Sequence, residues 1–175
     1  MSSQSKLRRI VFIGAECTGK STLAQAVAAR LGAPCSEEYV RIHAEQLERP
    51  LDATDLEPIA HGQLRLEDQA ATMASEFVVH DTNILSSILY AEHYFDTHLD
   101  WVDSLFEERC YDSYFLCQSD IPWVADPGQR VSPEERALLQ ERFIAILNRY
   151  DISYVPVCGT LEERITIVNK KLGLD

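Results

Sequence analysis

The sequence predicts an α/β fold, a three-layer sandwich in which helices cover both faces of a parallel five-stranded sheet. Two observations predict it. Short runs of nearly continuous apolar, β-branched and aromatic residues recur along the chain, as is typical of strands buried on both faces. Helical patterns separate these runs, and strands that alternate with helices form parallel sheets through right-handed crossovers. The four clearest runs are RRIVFIGA, FVVHDT, SYFLCQ and ISYVPVCG.

The second strand along the chain is the least distinct of the five. APCSEEY is polar, and it is predicted as a strand because helical patterns lie on both sides of it. In the helix before it, Leu23, Val27 and Leu31 recur at helical spacing, and Gly32 follows where a left-handed C-cap is expected. Further helices are predicted over residues 54–75, 84–94 and 99–109.

Two later helices begin with capping signals. Ser132 is a candidate N-cap, Pro133 falls at the first helical position, and Glu135 completes a predicted capping box. Thr160 and Glu163 form a second predicted box at the start of the final helix. The apolar stripes predicted for these two helices are Leu139, Phe143, Ile146 and Tyr150 in the first and Ile165, Val168 and Leu172 in the second.

Composition limits the class of protein. The 175 residues and 46% hydrophobic content suit a single domain spanning 1–175. With 16 basic and 28 acidic side chains, the net charge of −12 repels polyanions, which argues against a nucleic-acid partner. Because no apolar run could span a bilayer and the polar start MSSQSKLRR is unlike a signal peptide, we expect a soluble cytoplasmic protein without a membrane partner. The odd number of cysteines and the lack of a C-x-x-C pair predict neither a disulfide framework nor a zinc site.

The segment GAECTGKST is a complete phosphate-binding loop (P-loop). Gly14, four residues, then Gly19, Lys20 and Ser21 follow a predicted strand and precede a predicted helix. The glycines allow backbone N–H groups to converge on phosphate oxygens, Lys20 reaches the terminal phosphates, and the Ser21 hydroxyl can ligate magnesium. We therefore predict ATP and Mg²⁺ as cofactors. The predicted nucleotide-binding residues are Gly14, Glu16, Cys17, Thr18, Gly19, Lys20, Ser21 and Thr22.

Polar residues follow the other predicted strands at the sheet edge where parallel sheets bind ligands. Asp81 ends the FVVHD run and is predicted to orient magnesium, and the amide of Asn83 is a weaker magnesium partner. Glu38 is predicted to face the acceptor hydroxyl and take its proton, because alternation along the strand sends Glu37 to the opposite face. Arg41 is predicted to bind phosphate or to orient the acceptor.

The segment QSDIPWVADPGQR is predicted to be a loop that closes over the reaction and excludes water. Arg130 would neutralise phosphate charge there, and Trp123 would offer an aromatic face to a ring. The alternative is an ordinary loop before the next helix. Similarly, Gln63 and Glu67 either line the acceptor side of a helix or belong to an ordinary polar face.

Five motifs, taken together and in order, resemble the kinase domain of NadR-type proteins, the P-loop ribosylnicotinamide kinases. The motifs are GAECTGKST, EEYVR, HGQLRLE, VVHDTN and YDSYFLCQSDIPWVADPGQR. The resemblance extends from about residue 8 to the last helix and implies a P-loop nucleoside-kinase-like fold. It also implies transfer of the γ-phosphate of ATP to the 5′-hydroxyl of nicotinamide riboside, giving nicotinamide mononucleotide in NAD salvage.

The resemblance implies roles for the residues that match its motifs. The implied catalytic residues are Lys20, Glu38, Asp81 and Arg130, and the implied magnesium ligands are Ser21 and Asp81. The implied acceptor-binding residues are Glu38, Tyr39, Arg41, Gln63, Asp120, Trp123 and Asp126.

Two positions depart from the family pattern. Asn83 replaces an aspartate of the family, and WVADPGQR is one residue longer than the family's loop. These departures leave two alternatives open: a kinase for another nucleoside or small alcohol, and an ATP- or GTP-binding switch that does not transfer phosphate. The residues near Gly159 and Thr160 do not distinguish ATP from GTP, and the sequence predicts no oligomeric state.

Overall fold

Five parallel strands form one sheet in the order β2-β3-β1-β4-β5. The computed structural model describes residues 6–124 and 132–174 of the chain. The central strand β1 lies between β3 and β4, so the carboxyl ends of these three strands meet at one edge of the sheet. The strands are β1 (Arg8–Ile13), β2 (Cys35–Ser36), β3 (Phe77–Asp81), β4 (Ser113–Cys117) and β5 (Tyr154–Val157).

Helices cover both faces of the sheet, which confirms the predicted three-layer sandwich. Within the described residues, no helix is both long and apolar enough to cross a membrane. The helices are α1 (Lys20–Leu31), α2 (Tyr39–Glu45), α3 (Leu56–Met73), α4 (Leu85–Phe95), α5 (Asp100–Glu108), α6 (Pro133–Arg149) and α7 (Leu161–Leu172), with a 3₁₀ turn over Ala53–Asp55.

The central strand explains why the predicted strands read as continuous apolar runs. Ile10 and Phe12 pack with α1 and α7 on one face, and Val11 and Ile13 pack with α3, α4, α5 and α6 on the other. All four side chains are fully buried. Burial of each such side chain contributes about 1.5–3 kcal/mol, so both faces of the strand favour apolar residues.

The predicted helix ends are mostly confirmed. Gly32 adopts the left-handed conformation at the end of α1 with φ 58°, and the capping box of Thr160 and Glu163 is formed. Only one of the two hydrogen bonds of the capping box predicted at α6 is formed. The Ser132 hydroxyl accepts the Glu135 N–H, but the Glu135 carboxylate binds His93. A tertiary partner on α4 therefore replaces the local one.

The prediction that all of APCSEEY forms a strand is also wrong. The strand has only two residues, and Tyr39–Glu45 forms α2, which the sequence analysis missed. This helix has no buried residue, so it lacks the apolar periodicity by which a helix is recognised. Its start is fixed from outside, because the Tyr39 N–H donates to Oε1 of Gln63 at 2.9 Å.

Gly62 allows α2 to pack against α3. A Cβ atom at this position would lie 2.0–2.3 Å from the Tyr39 ring. An ordinary Gly→Ala change within a helix stabilises it by about 1 kcal/mol. We expect Gly62→Ala to destabilise the protein by about 1–2 kcal/mol, because the clash outweighs the gain in helix propensity. Urea unfolding of the variant and the parent measures this difference.

The matched control for this prediction is a background that lacks the ring. In Tyr39→Ala, the further change Gly62→Ala is expected to stabilise the protein, by up to about 1 kcal/mol. A single Gly62→Ala variant that is more stable than the parent would contradict the proposed packing constraint.

Candidate active site

The P-loop follows β1 and is closed by its own hydrogen bonds. The Thr18 hydroxyl and the Lys20 Nζ both donate to the Ala15 carbonyl, at 2.7 and 2.8 Å. Gly14 has φ 138°, and a Cβ there would lie 2.7 Å from the carbonyl oxygen of Cys117. Only glycine fits this close approach to β4. The buried Lys20 is therefore held beside the loop where phosphates are predicted to bind.

Gln140 on α6 ties the P-loop to β4. Its Oε1 accepts the Ala15 N–H at 3.0 Å, and its Nε2 donates to the Cys117 carbonyl at 3.0 Å. Gln140 was not among the residues predicted for the site. A glutamine within an amphipathic helix gives no local signal of such a contact.

Arg164 on α7 is the second anchor of the P-loop. Its guanidinium donates to the carbonyls of Thr18 at 2.6 Å and Gly159 at 3.0 Å. It also donates to the Gln118 carbonyl and forms an ion pair with Asp120. Arg164 is 3% exposed, so these partners compensate for its burial. Arg164 thus joins three segments of chain to α7: the P-loop, the segment after β4 and the turn before α7.

Asp81 lies at the end of β3 beside the P-loop, in register with Phe12 of β1. Its carboxylate is 6% exposed, and Oδ1 has no hydrogen-bond partner among the described residues. Burial raises the pKa of Asp81, and the neighbouring Ser21 hydroxyl opposes this rise. A buried carboxylate oxygen beside a hydroxyl fits a magnesium ion that takes its remaining ligands from nucleotide phosphates and water.

In residues 6–124 and 132–174, no group of three or more His, Cys, Asp and Glu side chains could hold a metal ion. Asn83, the weaker predicted magnesium partner, is fully buried, and its amide nitrogen donates to the Tyr114 hydroxyl at 2.8 Å. Asn83 therefore links the turn after β3 to β4.

Glu38 and Arg41 form an ion pair at the start of α2. Nε of Arg41 donates to Oε2 of Glu38 at 3.0 Å. Glu38 is 7% exposed, whereas Glu37 is exposed. The strand alternation from which Glu38 was chosen does not apply, because β2 ends at Ser36. Glu38 is instead the N-cap residue of α2, and its side chain is buried.

The acidic groups of the site influence one another. The charge of Glu38 contributes to the raised pKa values of Glu16 and Asp81, in both of which burial is the larger cause. Lys20 and Arg41 oppose both rises. Three carboxylates and two cations therefore lie close enough to interact where the P-loop, β3 and α2 meet.

A cavity of about 110 Å³ adjoins this charged cluster. One wall is aromatic and comes from α4, where Tyr90 and Tyr94 stack with ring centroids 5.9 Å apart. The sequence analysis missed these rings, although tyrosines four residues apart lie on one helix face and were a usable signal. The cavity is lined by Glu16, Val40, Leu51, Asp52, Leu56, Ile59, Ser87, Tyr90, Tyr94 and Phe95.

Two predicted acceptor-binding residues bind each other. The Tyr39 N–H donates to Gln63, and the Tyr39 ring packs on Gly62. The guanidinium of Arg65 lies over the same ring, 5.5 Å from its centroid. The structure thus gives Tyr39 and Gln63 contacts that join α2 to α3, and acceptor binding by either residue stays a prediction.

Asp120 also has structural partners. It binds the guanidinium of Arg164 and accepts the N–H of Gly159. Trp123 is half-buried near the end of the described segment. Asp126 and Arg130 lie outside the described residues.

Three other residues predicted to bind the nucleotide have different surroundings. Cys17 has a left-handed backbone with φ 54°, and its Sγ contacts the Val124 carbonyl at 3.6 Å. Thr22 is exposed in the first turn of α1. Glu16, which was predicted to bind the nucleotide, lines the cavity beside α4.

Glu67 belongs to a buried network and not to the ordinary polar face considered from the sequence. It is 0% exposed. Its Oε1 accepts the Ile84 N–H at 2.8 Å and contacts the Gln63 amide at 3.5 Å. Its Oε2 accepts the Tyr111 hydroxyl at 2.5 Å and Arg109 at 3.4 Å. Burial raises the pKa of Glu67 to about 7, although these partners oppose the rise.

His80 lies next to this network. Its Nδ1 is 2.7 Å from the Ser36 hydroxyl, and its ring meets the Tyr111 ring edge-on. Burial, and then the charges of Arg9 and Arg109, lower the pKa of His80 to about 3. His80 is therefore neutral at physiological pH.

Comparison with known proteins places the chain in a family. A sequence profile of the AAA domain family matches residues 9–164. The chain belongs to this family. The trifunctional NAD biosynthesis/regulator protein NadR of Salmonella typhimurium is 27% identical over 156 residues, or 86% of this chain and 38% of that protein. The Escherichia coli protein of the same name matches to the same extent. The resemblance stated from the sequence is confirmed, and this AAA-family chain spans 38% of the length of those relatives.

Solved structures support the fold of this AAA-family chain. A NadR protein in complex with NAD and AMP-PNP superposes with a TM-score of 0.81 at 20% identity, over 98% of this chain and 51% of the other. Thymidylate kinase from Ehrlichia chaffeensis has a TM-score of 0.68 at 15% identity, over 97% and 99% of the two chains. The predicted P-loop nucleoside-kinase-like fold is confirmed.

Glu67 is expected to make stability depend on pH. Its pKa is about 7 when folded and 4.5 ordinarily, so the folded state binds more protons between these values. Its contribution to stability therefore falls as pH rises from 4.5 to 7 and is constant above. Glu67→Gln removes this ionisation. We expect the stability of the variant relative to the parent to increase across this window by at most about 2–3 kcal/mol.

His80 has the opposite effect, because its lowered pKa makes its contribution rise with pH from about 3 to 6.5. The difference between variant and parent isolates Glu67, since both contain His80. Urea unfolding at about pH 5 and about pH 8 measures this difference. Glu108→Gln, at an exposed site on α5, is the matched control and should give the same difference at both pH values. A difference for Glu67→Gln that does not change with pH would disprove the assignment.

Proposed function

We propose that this domain transfers the γ-phosphate of ATP to the 5′-hydroxyl of nicotinamide riboside, giving nicotinamide mononucleotide. The observation that carries the proposal is the cavity with an aromatic wall that adjoins the P-loop. A nucleoside placed there would have its sugar near the phosphate-binding residues and its ring against α4. NadR relatives are named as NAD biosynthesis proteins, and solved NadR structures contain nicotinamide riboside, named NR, or NAD with AMP-PNP.

The donor side of the proposed reaction uses the P-loop. Lys20 is held at the Ala15 carbonyl and can turn to the terminal phosphates of ATP. Ser21 and Asp81 would hold magnesium, which when bound supplies positive charge to the phosphate oxygens. The anchors Gln140 and Arg164 keep the loop fixed, so its N–H groups would not need to reorganise during transfer.

The acceptor side of the proposed reaction uses Glu38. Its carboxylate is buried at the start of α2 and oriented by Arg41. In this position it would align the 5′-hydroxyl and accept its proton as the new P–O bond forms. Asp81 ends β3 and Glu38 is the N-cap residue of α2, so the predicted metal ligand and the predicted base come from different parts of the chain.

The chemistry of the cavity favours this acceptor over an anionic one. Glu16 and Asp52 are among the cavity residues, and the protein carries a formal charge of −12. A positively charged pyridinium ring is attracted both by carboxylates and by the faces of tyrosine rings such as Tyr90. A phosphorylated acceptor would meet repulsion at the same position.

The proposed function is tested by an acceptor panel. We expect ATP-dependent phosphorylation of nicotinamide riboside, with lower kcat/KM for adenosine, thymidine and deoxyadenosine. Lys20→Ala should lower kcat by roughly 10²- to 10³-fold, because the negative charge on the transferring phosphoryl group is then no longer offset by the lysine cation. A coupled assay of ADP formation measures the rate with each acceptor and with the variant. Mass spectrometry identifies the phosphorylated product.

Lys171→Ala is the matched control for Lys20→Ala. Lys171 is exposed on α7, and its removal changes the net charge by the same amount. Its activity should equal that of the parent. A Lys20→Ala variant with full activity would refute the active-site assignment. A higher kcat/KM of the parent protein for another nucleoside would identify that nucleoside as the acceptor in place of nicotinamide riboside. Nucleotide binding without turnover of any acceptor would instead favour a nucleotide-dependent switch.

A further inference from the structure

Glu16 lies in the P-loop, and its side chain lines the cavity to which α4 contributes Tyr90, Tyr94 and Phe95. A carboxylate directed at nucleotide phosphates would repel them. A place in the cavity suits the Glu16 side chain better for contact with the acceptor than for contact with the nucleotide.

The Glu16 carboxylate is not satisfied within the described part of the protein. Its Oε2 is buried and has no hydrogen-bond partner there. The two nearby cations have other direct partners, because Lys20 donates to the Ala15 carbonyl and Arg41 to Glu38. Burial raises the pKa of Glu16, with Lys20 as the main opposing charge. A buried acceptor oxygen without a donor is costly unless a ligand supplies the donor.

Asp52, the other carboxylate of the cavity, is satisfied. Its Oδ1 accepts the Thr54 N–H at 2.8 Å and the Thr54 hydroxyl at 2.6 Å. Its Oδ2 lies 3.1 Å from a guanidinium nitrogen of Arg49. Glu16 is thus the carboxylate of this cavity that keeps an unused buried oxygen.

The position of Glu16 in the cavity determines which part of the acceptor its carboxylate can contact. Glu16 follows Gly14 by two residues and so lies at the P-loop end, whereas Tyr94 and Phe95 come from α4. The hydroxyl that receives a phosphoryl group must lie near the P-loop. In a nucleoside, the groups beside that hydroxyl are the remaining hydroxyls of the sugar, which are hydrogen-bond donors.

We propose that Glu16 is a specificity-determining residue whose carboxylate accepts a hydrogen bond from the 2′- or 3′-hydroxyl of the acceptor sugar. This inference rests on the proposed nucleoside kinase function. It makes the domain selective for ribonucleosides over acceptors that lack the recognised hydroxyl. A site built to bind a hydroxyl rejects the deoxy analogue because a buried polar group is then left unpaired.

The test compares three forms of the protein, each assayed with three acceptors. Wild type, Glu16→Gln and Glu16→Ala are assayed with nicotinamide riboside and its 2′-deoxy and 3′-deoxy analogues. Wild type should lose roughly 10- to 100-fold in kcat/KM with one of the analogues. Glu16→Ala should lose less than about threefold on the same change, because the partner of that hydroxyl is already absent. Glu16→Gln keeps the shape and a neutral acceptor oxygen, so its loss should be intermediate.

Two further measurements separate this role from others. Glu108→Gln, at an exposed site on α5 outside the cavity lining, should discriminate between the acceptors as wild type does. The KM for ATP should change by less than about threefold in Glu16→Gln, whereas a nucleotide-binding role would raise it further. Equal discrimination by wild type and Glu16→Ala overturns the inference and leaves the proposed function standing. Failure of wild type to phosphorylate any of these acceptors overturns both.

Discussion

The buried guanidinium of Arg164 holds together the chain segments that form the donor side of the site. It donates to carbonyl groups of the P-loop, the end of β4 and the turn before α7, and it pairs with Asp120. Removing such a charge from water is costly, and the cost is offset only while all of these segments keep their positions. The shape of the P-loop is therefore tied to α7, the last helix of the chain. Gln140 provides a second connection, from α6.

The acceptor side is organised by a different kind of constraint. Glu38, Asp81 and Glu16 bring three carboxylates together beside the cations Lys20 and Arg41. Each carboxylate has a separate environment: Glu38 is paired with Arg41, Asp81 lies beside Ser21, and Glu16 faces the cavity. Because their partners differ, the three groups are suited to different tasks within one small volume.

Glu67 connects the donor side and the acceptor side of the site through hydrogen bonds. It accepts the N–H of Ile84 in the turn after Asp81. Through Gln63 it also reaches the Tyr39 N–H, immediately after Glu38. One buried carboxylate thus supports the backbone next to the predicted metal ligand and next to the predicted base. Since Tyr111 and Arg109 bind its other oxygen, its position is fixed by α3, the turn after β3 and the segment before β4.

The sequence by itself determined the layers, four of the five strands, the P-loop and the ends of α1 and α7, because each of these leaves a local pattern of apolar spacing or capping residues. The short strand β2 leaves no such pattern and was predicted from its place between two helical patterns. The tertiary structure decided what such patterns do not contain. The start of α2, the direction of Glu16, and the anchoring by Gln140 and Arg164 depend on residues distant in sequence. Sequence spacing identifies which residues share an element, whereas hydrogen bonds between elements decide where a polar side chain points. The nucleotide site could therefore be predicted from GAECTGKST, whereas the cavity proposed to bind the acceptor became visible only after α2, α3 and α4 were packed together.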